Sequence, residues 1–137
     1  MEKSELKNKE MKKLKILGID DNADLLQLSE IALTSGGHEY TGVGRGEKGV
    51  EEVRNGNYDL VLLDLSMPEM SGLDVIDVLE KEGILNKQKI VVFTASPPTD
   101  EEVKSLLERG IHSVIRKPLD VDVLLDHVEK IETEFKL

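Results

Sequence analysis

The stretch LKILGIDD, residues 14–21, decides the fold, because a short apolar run ends there in two adjacent acids. Only Lys15 and Gly18 interrupt the apolar run, which is typical of a buried strand. Three later runs end in the same way: Asp64 follows Asp59–Leu63, Thr94 follows Lys89–Phe93, and Lys117 follows Ser113–Arg116. Parallel strands of one sheet share an edge at their carboxyl ends, so these polar side chains are predicted to form one composite site.

Helical patterns alternate with the strand-like runs along the chain. The predicted strands are Leu14–Ile19, His38–Val43, Tyr58–Leu63, Ile90–Phe93 and Ser113–Arg116. The first predicted helix begins at its expected N-cap, Asp24, and ends at Gly36, and the second spans Glu47–Arg54. The third runs from Ser71 to Gly83, the fourth spans Asp100–Arg109 and the fifth spans Val121–Phe135. In the third helix, we expect Leu73, Ile76 and Leu79 to point inward.

This alternation predicts an α/β fold, a doubly wound five-stranded parallel sheet with helices on both faces, since crossovers between parallel strands are right-handed. The pattern alone does not determine the strand order. The flavodoxin-like order 2-1-3-4-5 would place strands one and three at the topological switch point, where ligands bind. Asp20, Asp21 and Asp64 would then lie together.

Composition limits the functions that are plausible. The 137 residues suit one domain, and the absence of cysteine excludes disulfides and thiolate chemistry. A formal charge of −10 opposes direct nucleic-acid binding. No apolar run is long enough for a membrane span, so we expect a cytoplasmic protein. We expect residues 1–13 to form a flexible charged extension and residues 14–137 to form the domain.

Three clustered carboxylates need a cation. Two such charges about 4 Å apart repel by roughly 4 kcal/mol at an effective dielectric constant of 20. Oxygen ligands without His or Cys favour Mg²⁺, with Mn²⁺ or Ca²⁺ as alternatives. Lys117 as a point cation and Thr94 as a hydroxyl donor would complete a clamp for phosphate oxygens. Asp64 is then the candidate nucleophile, forming an aspartyl phosphate.

Together these motifs resemble the receiver domain of two-component response regulators, over about residues 14 to 135. Residues 64–72, DLSMPEMSG, have the pattern D-x-x-M-P-x-M-x-G. Asp20-Asp21, Thr94-Ala95 and Lys117-Pro118 follow strands one, four and five in the order of that family. Each element alone would be a weak signal, whereas the ordered set is highly specific.

The resemblance implies roles at the acid cluster. Asp64 would accept a phosphoryl group from a sensor histidine kinase or a phosphotransfer protein. Asp21 would bind Mg²⁺ directly and Asp20 mostly through water. Asp64 and the backbone carbonyl of Ser66 would be further ligands. The protein would not be an enzyme, although it would assist its own phosphoryl transfer and dephosphorylation.

The resemblance also implies which residues would contact the phosphoryl group and which surface would bind a partner. Thr94 and Lys117 would contact the phosphoryl oxygens, with a cis bond between Lys117 and Pro118. A downstream protein would bind the face formed by helix four, strand five and helix five. Two features depart from the family pattern: Val114 stands where an aromatic usually switches, and Ser96-Pro97-Pro98 restricts the loop after Thr94.

Other interpretations of the same residues stay open. The acid pair could serve only as helix caps, and the chain could be an unphosphorylated pseudo-receiver that binds partners. A phosphatase of the haloacid dehalogenase type would need a second acid where Ser66 stands. Gly44–Gly49 fits the dinucleotide pattern G-x-G-x-x-G but follows the second strand, so we interpret it as a flexible turn. His38, His112 and His127 lack ligand spacing and are expected at the surface or its boundary.

Overall fold

Five strands and five helices alternate along the part of the chain that the structure, a computed structural model, describes, which is residues 13–95 and 98–135. The strands are β1 (Lys15–Ile19), β2 (Glu39–Val43), β3 (Leu60–Leu63), β4 (Lys89–Thr94) and β5 (Ser113–Arg116). The helices are α1 (Ala23–Ser35), α2 (Gly46–Gly56), α3 (Gly72–Lys81), α4 (Asp100–Arg109) and α5 (Val121–Glu134), with a 3₁₀ turn at Leu85–Lys87. The predicted extension, apart from Lys13, and the Ser96-Pro97 part of the predicted turn lie outside the described residues. None of the described helices is long and apolar enough to span a membrane.

All five strands are parallel and lie in the order β2-β1-β3-β4-β5, which confirms the predicted topology. The strand order reverses between β1 and β3, the two central strands that precede the acids. Ile19 of β1 is in register with Leu63 of β3. Asp20 and Asp64, the next residues, therefore leave the sheet at the same level.

Side-chain alternation along the strands divides the core between the two faces of the sheet. On one face, Leu17, Val61 and Val92 pack against α2, α3 and α4. On the other face, Ile16 and Leu62 pack against α1 and α5. Because both faces are covered, the central strands are apolar along their whole length, as expected for a parallel sheet.

The predicted start of the first helix and the predicted inward face of the third were partly wrong. Asn22, not Asp24, is the N-cap of α1: its backbone is extended and its side chain accepts a hydrogen bond from the Leu25 N–H. Asp24 lies in the first turn, where its charge suits the helix dipole. Leu73 is 44% exposed, because at the first turn of α3 it lies beyond the helix face that Ile76 and Leu79 bury.

The interpretation of Gly44–Gly49 as a turn between strand and helix was only partly right, because the turn is limited to Gly44 and Arg45. Gly46 and Gly49 lie within α2, and each allows a close contact. A Cβ on Gly49 would lie 2.5 Å from the Ile19 Cδ1, and one on Gly46 would lie 2.9 Å from the Met70 backbone oxygen. These glycines hold α2 against β1 and against the loop after β3, beside the acid cluster.

His38 is buried, contrary to the expectation of a surface position, whereas His112 and His127 are only partly buried. The His38 Nδ1 accepts a hydrogen bond of 3.1 Å from the Leu14 N–H, and its Nε2 lies 3.9 Å from the buried Glu132 carboxylate. Burial lowers the pKa of His38; Lys13 lowers it further, while Glu132 and Glu129 oppose the shift. A neutral imidazole with an unprotonated Nδ1 fits this position.

This arrangement predicts that acid destabilises the fold through His38. A histidine whose folded-state pKa is lowered takes up its proton more readily in the unfolded chain, so the free energy of unfolding falls as the pH drops below about 6.5. The slope would approach at most about 1.4 kcal/mol per pH unit. Urea unfolding of wild type and His38→Asn at pH 7, 6 and 5 measures the difference. Asn can still accept from the Leu14 N–H, so the variant should unfold with a shallower pH dependence; equal slopes would contradict the prediction.

Candidate functional site

Asp20 and Asp64 are held side by side by the sheet itself. The Asp20 N–H donates to the Val43 carbonyl at 3.1 Å, and the Asp64 N–H donates to the Ile19 carbonyl at 3.0 Å, so the ladder extends one residue beyond each strand. Both carboxylates are almost fully buried, with 5% and 4% of the residue exposed. Asp21 is exposed beside them. The backbone thus places the buried acids Asp20 and Asp64 side by side at the edge of the sheet, with the exposed Asp21 next to them.

The three acids form one cluster, as predicted. A carboxylate oxygen from each of Asp20, Asp21 and Asp64 lies within 4.8 Å of the others, and this is the only such group of potential metal ligands among residues 13–95 and 98–135. Burial raises the pKa of Asp64; the charges of Asp20 and Asp21 raise it too, while Lys117 and the Ser66 N–H oppose the shift. The ionised form of Asp64 is therefore disfavoured unless a cation enters.

Lys117 supplies the positive charge of the site. Its Nζ donates to the Asp20 Oδ2 at 2.7 Å and lies 3.6 Å from the Asp64 Oδ2. The ammonium also lies 5.6 Å from the centre of the Phe93 ring. The expected cis bond between Lys117 and Pro118 is confirmed. Lys117 thus binds Asp20 more closely than Asp64, an asymmetry that the sequence pattern did not reveal.

Thr94 and Ser66 are the two remaining residues that the sequence predicts for this site. Thr94 is fully buried at the end of β4, and its carbonyl accepts a 2.9 Å hydrogen bond from the Lys117 N–H. The Ser66 N–H donates to the Asp64 Oδ1 at 3.3 Å. Hydrogen bonds from backbone N–H groups therefore join Thr94 to Lys117 and Ser66 to Asp64, next to the acid cluster. The contacts of Thr94 with phosphate and of the Ser66 carbonyl with a metal stay predictions.

The loop after β3 is packed tightly against Asp64. A Cβ on Gly72 would lie 2.2 Å from the Asp64 carbonyl oxygen, and the Gly72 N–H donates to the Leu65 carbonyl at 3.0 Å. Glu69 adopts a positive φ of 67°, and its carboxylate lies 3.6 Å from the Arg45 guanidinium. Gly72 is required because any side chain there would meet backbone atoms. The glycine that ends the D-x-x-M-P-x-M-x-G run is the signal for this contact.

The donor set of the cluster fits a hard divalent cation. All three ligand groups are carboxylates, and Lys117 lies beside two of them, Asp20 and Asp64. Mg²⁺ prefers oxygen ligands and keeps several waters, so a few carboxylates at an open edge suffice. Asp20, Asp21 and Asp64 are the residues that would hold such an ion.

A five-stranded parallel sheet in the order 2-1-3-4-5, with an acid cluster at its switch point, is a doubly wound α/β domain of the flavodoxin-like type. The sequence model of the response regulator receiver domain matches residues 16–129. The cell cycle transcriptional regulator CtrA of Caulobacter vibrioides is 30% identical over 118 residues, which are 86% of this chain and 50% of CtrA. The DNA-binding response regulator MtrA of Mycobacterium tuberculosis is 36% identical over 114 residues, 83% of this chain and 48% of MtrA. The chain thus spans about half the length of the curated relatives it matches.

Solved structures share the fold. The signal receiver domain of a putative LuxO repressor protein from Vibrio parahaemolyticus superposes with a TM-score of 0.81 at 22% identity, covering 90% of this chain and 92% of that domain. The response regulator TrrA of Thermotoga maritima, solved with Mg²⁺ and BeF, gives a TM-score of 0.71 at 30% identity, covering 85% of this chain and 97% of TrrA. The chain belongs to the response regulator receiver domain family. Receiver domains of response regulators are generally phosphoacceptors rather than enzymes.

The charge balance predicts that Asp64→Asn stabilises the metal-free protein at pH 7, by roughly 1 kcal/mol. An acid whose folded-state pKa is raised destabilises the fold when ionised, and this loss disappears as the pH falls through that pKa. Lys117 keeps its partner Asp20 in the variant. Thermal unfolding in EDTA at pH 7 and pH 4 measures the effect, which should shrink at the lower pH.

Asp126→Asn, a change at an exposed acid of α5, is the control for a general charge effect. It should not reproduce the gain. A variant Asp64→Asn less stable than wild type at pH 7 would contradict the prediction.

Proposed function

We propose that this receiver domain is switched by phosphorylation of Asp64. The observation that carries the proposal is the position of the Asp64 carboxylate, which lies between two further acids and 3.6 Å from the Lys117 ammonium at the switch point. In the reaction, a carboxylate oxygen of Asp64 forms a bond to phosphorus. The bond between phosphorus and the donor group breaks, and its electron pair leaves with the donor.

The acid cluster would take up Mg²⁺, or Mn²⁺ in its place. Asp20, Asp21 and Asp64 would hold the ion, with the Ser66 backbone carbonyl as a further ligand. When bound, the ion offsets the negative charge that accumulates on transfer. Phosphorylation adds about −1.5 to −2 charges at pH 7, which Lys117 alone cannot neutralise.

Lys117 and Thr94 would bind the phosphoryl oxygens. Lys117 now pairs with Asp20 at 2.7 Å, and a shift of its flexible side chain toward Asp64 brings it to the new oxygens. Thr94 would donate its hydroxyl from the end of β4. The hydrogen bond between the Thr94 carbonyl and the Lys117 N–H couples the two residues during this movement. The same groups would assist the later hydrolysis of the aspartyl phosphate.

The proposed donor is a sensor histidine kinase or a phosphotransfer protein, and the proposed output is a protein bound to α4, β5 and α5. Exposed apolar side chains on these helices support the second part: Leu107 of α4 is 46% exposed and Val123 of α5 is 51% exposed. Val114 of β5 is partly buried and has no ring to turn inward. The change that reaches this face would therefore be carried by the loop after β4 and by α4, and would be small.

The central test is covalent labelling. Wild type incubated with acetyl phosphate and Mg²⁺ should gain the mass of one phosphoryl group, whereas Asp64→Asn should gain none while remaining folded. Intact mass spectrometry measures the gain, and Asp126→Asn is the control that should label like wild type. Labelling of Asp64→Asn at the wild-type level would show that Asp64 is not the phosphorylated residue.

A second test concerns the metal. An ion that binds only the folded acid cluster stabilises it by mass action, by about 1.4 kcal/mol at ten times the dissociation constant, so the melting temperature should rise by about 4 °C. Differential scanning calorimetry with increasing Mg²⁺, beside a series with Na⁺ at equal ionic strength, measures the shift. Asp21→Ala should lose most of it. Equal shifts in the two salts would show that the acids do not form a metal site.

A further inference from the structure

Two glycines on neighbouring strands make room for one aromatic ring on the α1 side of the sheet. Gly18 of β1 and Gly42 of β2 are in register. The ring of Tyr40, two residues before Gly42, lies across both. A Cβ on Gly18 would lie 1.9 Å from the Tyr40 hydroxyl oxygen, and one on Gly42 would lie 3.3 Å from the ring Cε2. The phenol tip therefore rests on the backbone of Gly18, two residues before Asp20.

The Tyr40 hydroxyl is a neutral hydrogen-bond donor in this position. Burial raises its pKa well above the usual value, and the charge of Asp20 contributes in the same direction. Ser29, a buried residue of α1, carries a second hydroxyl on the face of the sheet where Tyr40 packs. A pair of hydroxyls is thus inserted between the sheet and α1, an otherwise apolar layer.

A small cavity connects these hydroxyls to the acid cluster. Its lining includes Tyr40 and Ser29 together with Asp20, Asp64 and Phe93. The cavity volume of about 10 Å³ is close to the roughly 10–15 Å³ needed for the centre of one water molecule. The carboxylates and hydroxyls in the lining give such a water the hydrogen-bond partners that a buried water requires.

Asp20 needs a second support if Lys117 moves. Its Oδ1 accepts from the Asn22 N–H at 2.9 Å, and its Oδ2 accepts from Lys117. If Lys117 turns to a phosphoryl group on Asp64, Oδ2 loses this partner. Tyr40 and Ser29 line the same cavity as Asp20, so a water in that cavity can carry a hydrogen bond from their hydroxyls to Oδ2.

We propose that Tyr40 is a positioning residue for the acid cluster, acting with Ser29 through one water in this cavity to hold the Asp20 carboxylate in place for metal binding. The inference rests on the proposed function, because it assigns a support to the Mg²⁺ site. Tyr40 lies on the edge strand β2, on the opposite side of the site from Val114, and none of the D-D, D-x-x-M-P, T or K-P motifs includes it.

The test compares Tyr40→Phe with Tyr58→Phe. Phe keeps the ring over Gly18, so the fold should survive, and only the hydroxyl is lost. Tyr58 is a matched control because its hydroxyl bonds to Glu52, outside the acid cluster and the cavity. Isothermal titration with Mg²⁺, and with beryllofluoride at saturating Mg²⁺, should show affinity about 3- to 10-fold weaker for Tyr40→Phe and unchanged for Tyr58→Phe. Ser29→Ala should weaken binding in the same direction.

A second measurement separates positioning from general destabilisation. The side-chain carboxyl carbon signal of Asp20 in the NMR spectrum should shift in Tyr40→Phe and stay in place in Tyr58→Phe. If wild type binds both ligands and Tyr40→Phe binds them within twofold of wild type, the role of Tyr40 is wrong while the proposed function stands. If wild type binds neither ligand, the proposed function fails and the inference fails with it. Equal weakening in both tyrosine variants would also overturn the inference.

Discussion

The register between β1 and β3 forces Asp20 and Asp64 together, and the rest of the site compensates for this enforced repulsion. Ile19 faces Leu63 across the ladder, so neither acid can withdraw without breaking backbone hydrogen bonds. Burial removes most of the water that would screen the two charges. The folded protein thus maintains an acid pair that is unfavourable by itself and favourable with a cation. The proposed response of the site to metal and phosphate rests on this imbalance.

The compensating charge comes from the far side of the sheet. Lys117 follows β5, two strands away from β3, and its side chain extends over the Phe93 ring to reach both acids. Its backbone is tied to the end of β4 through Thr94. In the proposed function, a change of charge on Asp64 would act through Lys117 on the segment that joins β4, β5 and α5. With Val114 in β5, this mechanical link depends on the backbone rather than on the rotation of an aromatic ring.

On the side of the site that faces α1, glycines and hydroxyl groups take the place of a charged side chain. On the α1 side, Gly18 and Gly42 admit the Tyr40 ring, and Tyr40 and Ser29 line one small cavity together with Asp20. Asp20 accepts hydrogen bonds from Lys117 and from the Asn22 N–H at the start of α1, and the proposed water in the cavity would be its third partner. An acid supported from several directions can keep its geometry when one partner leaves. Such support is what a metal ligand needs during a switching reaction.

The sequence by itself determined the fold class and the composition of the site, because both depend on short-range patterns, whereas the strand order depends on which strands pair and was decided by the tertiary structure. Apolar runs that end in Asp20-Asp21, Asp64, Thr94 and Lys117 indicate parallel strands, and parallel strands bring their carboxyl ends to one edge. Pattern alone could not show which polar atoms pair. That Lys117 prefers Asp20, and that His38 is buried, follows from side-chain packing between distant segments.

Only the tertiary structure decided what the glycines and Tyr40 do. A glycine in sequence indicates backbone freedom, yet Gly18, Gly46, Gly49 and Gly72 are needed because atoms from other elements occupy the space of a side chain. Whether such a space is filled depends on contacts between residues far apart in the chain, which periodicity does not encode. For the same reason, Tyr40 looks like an ordinary strand residue in the sequence and becomes a neighbour of the acid site only when β2, β1 and α1 are packed together.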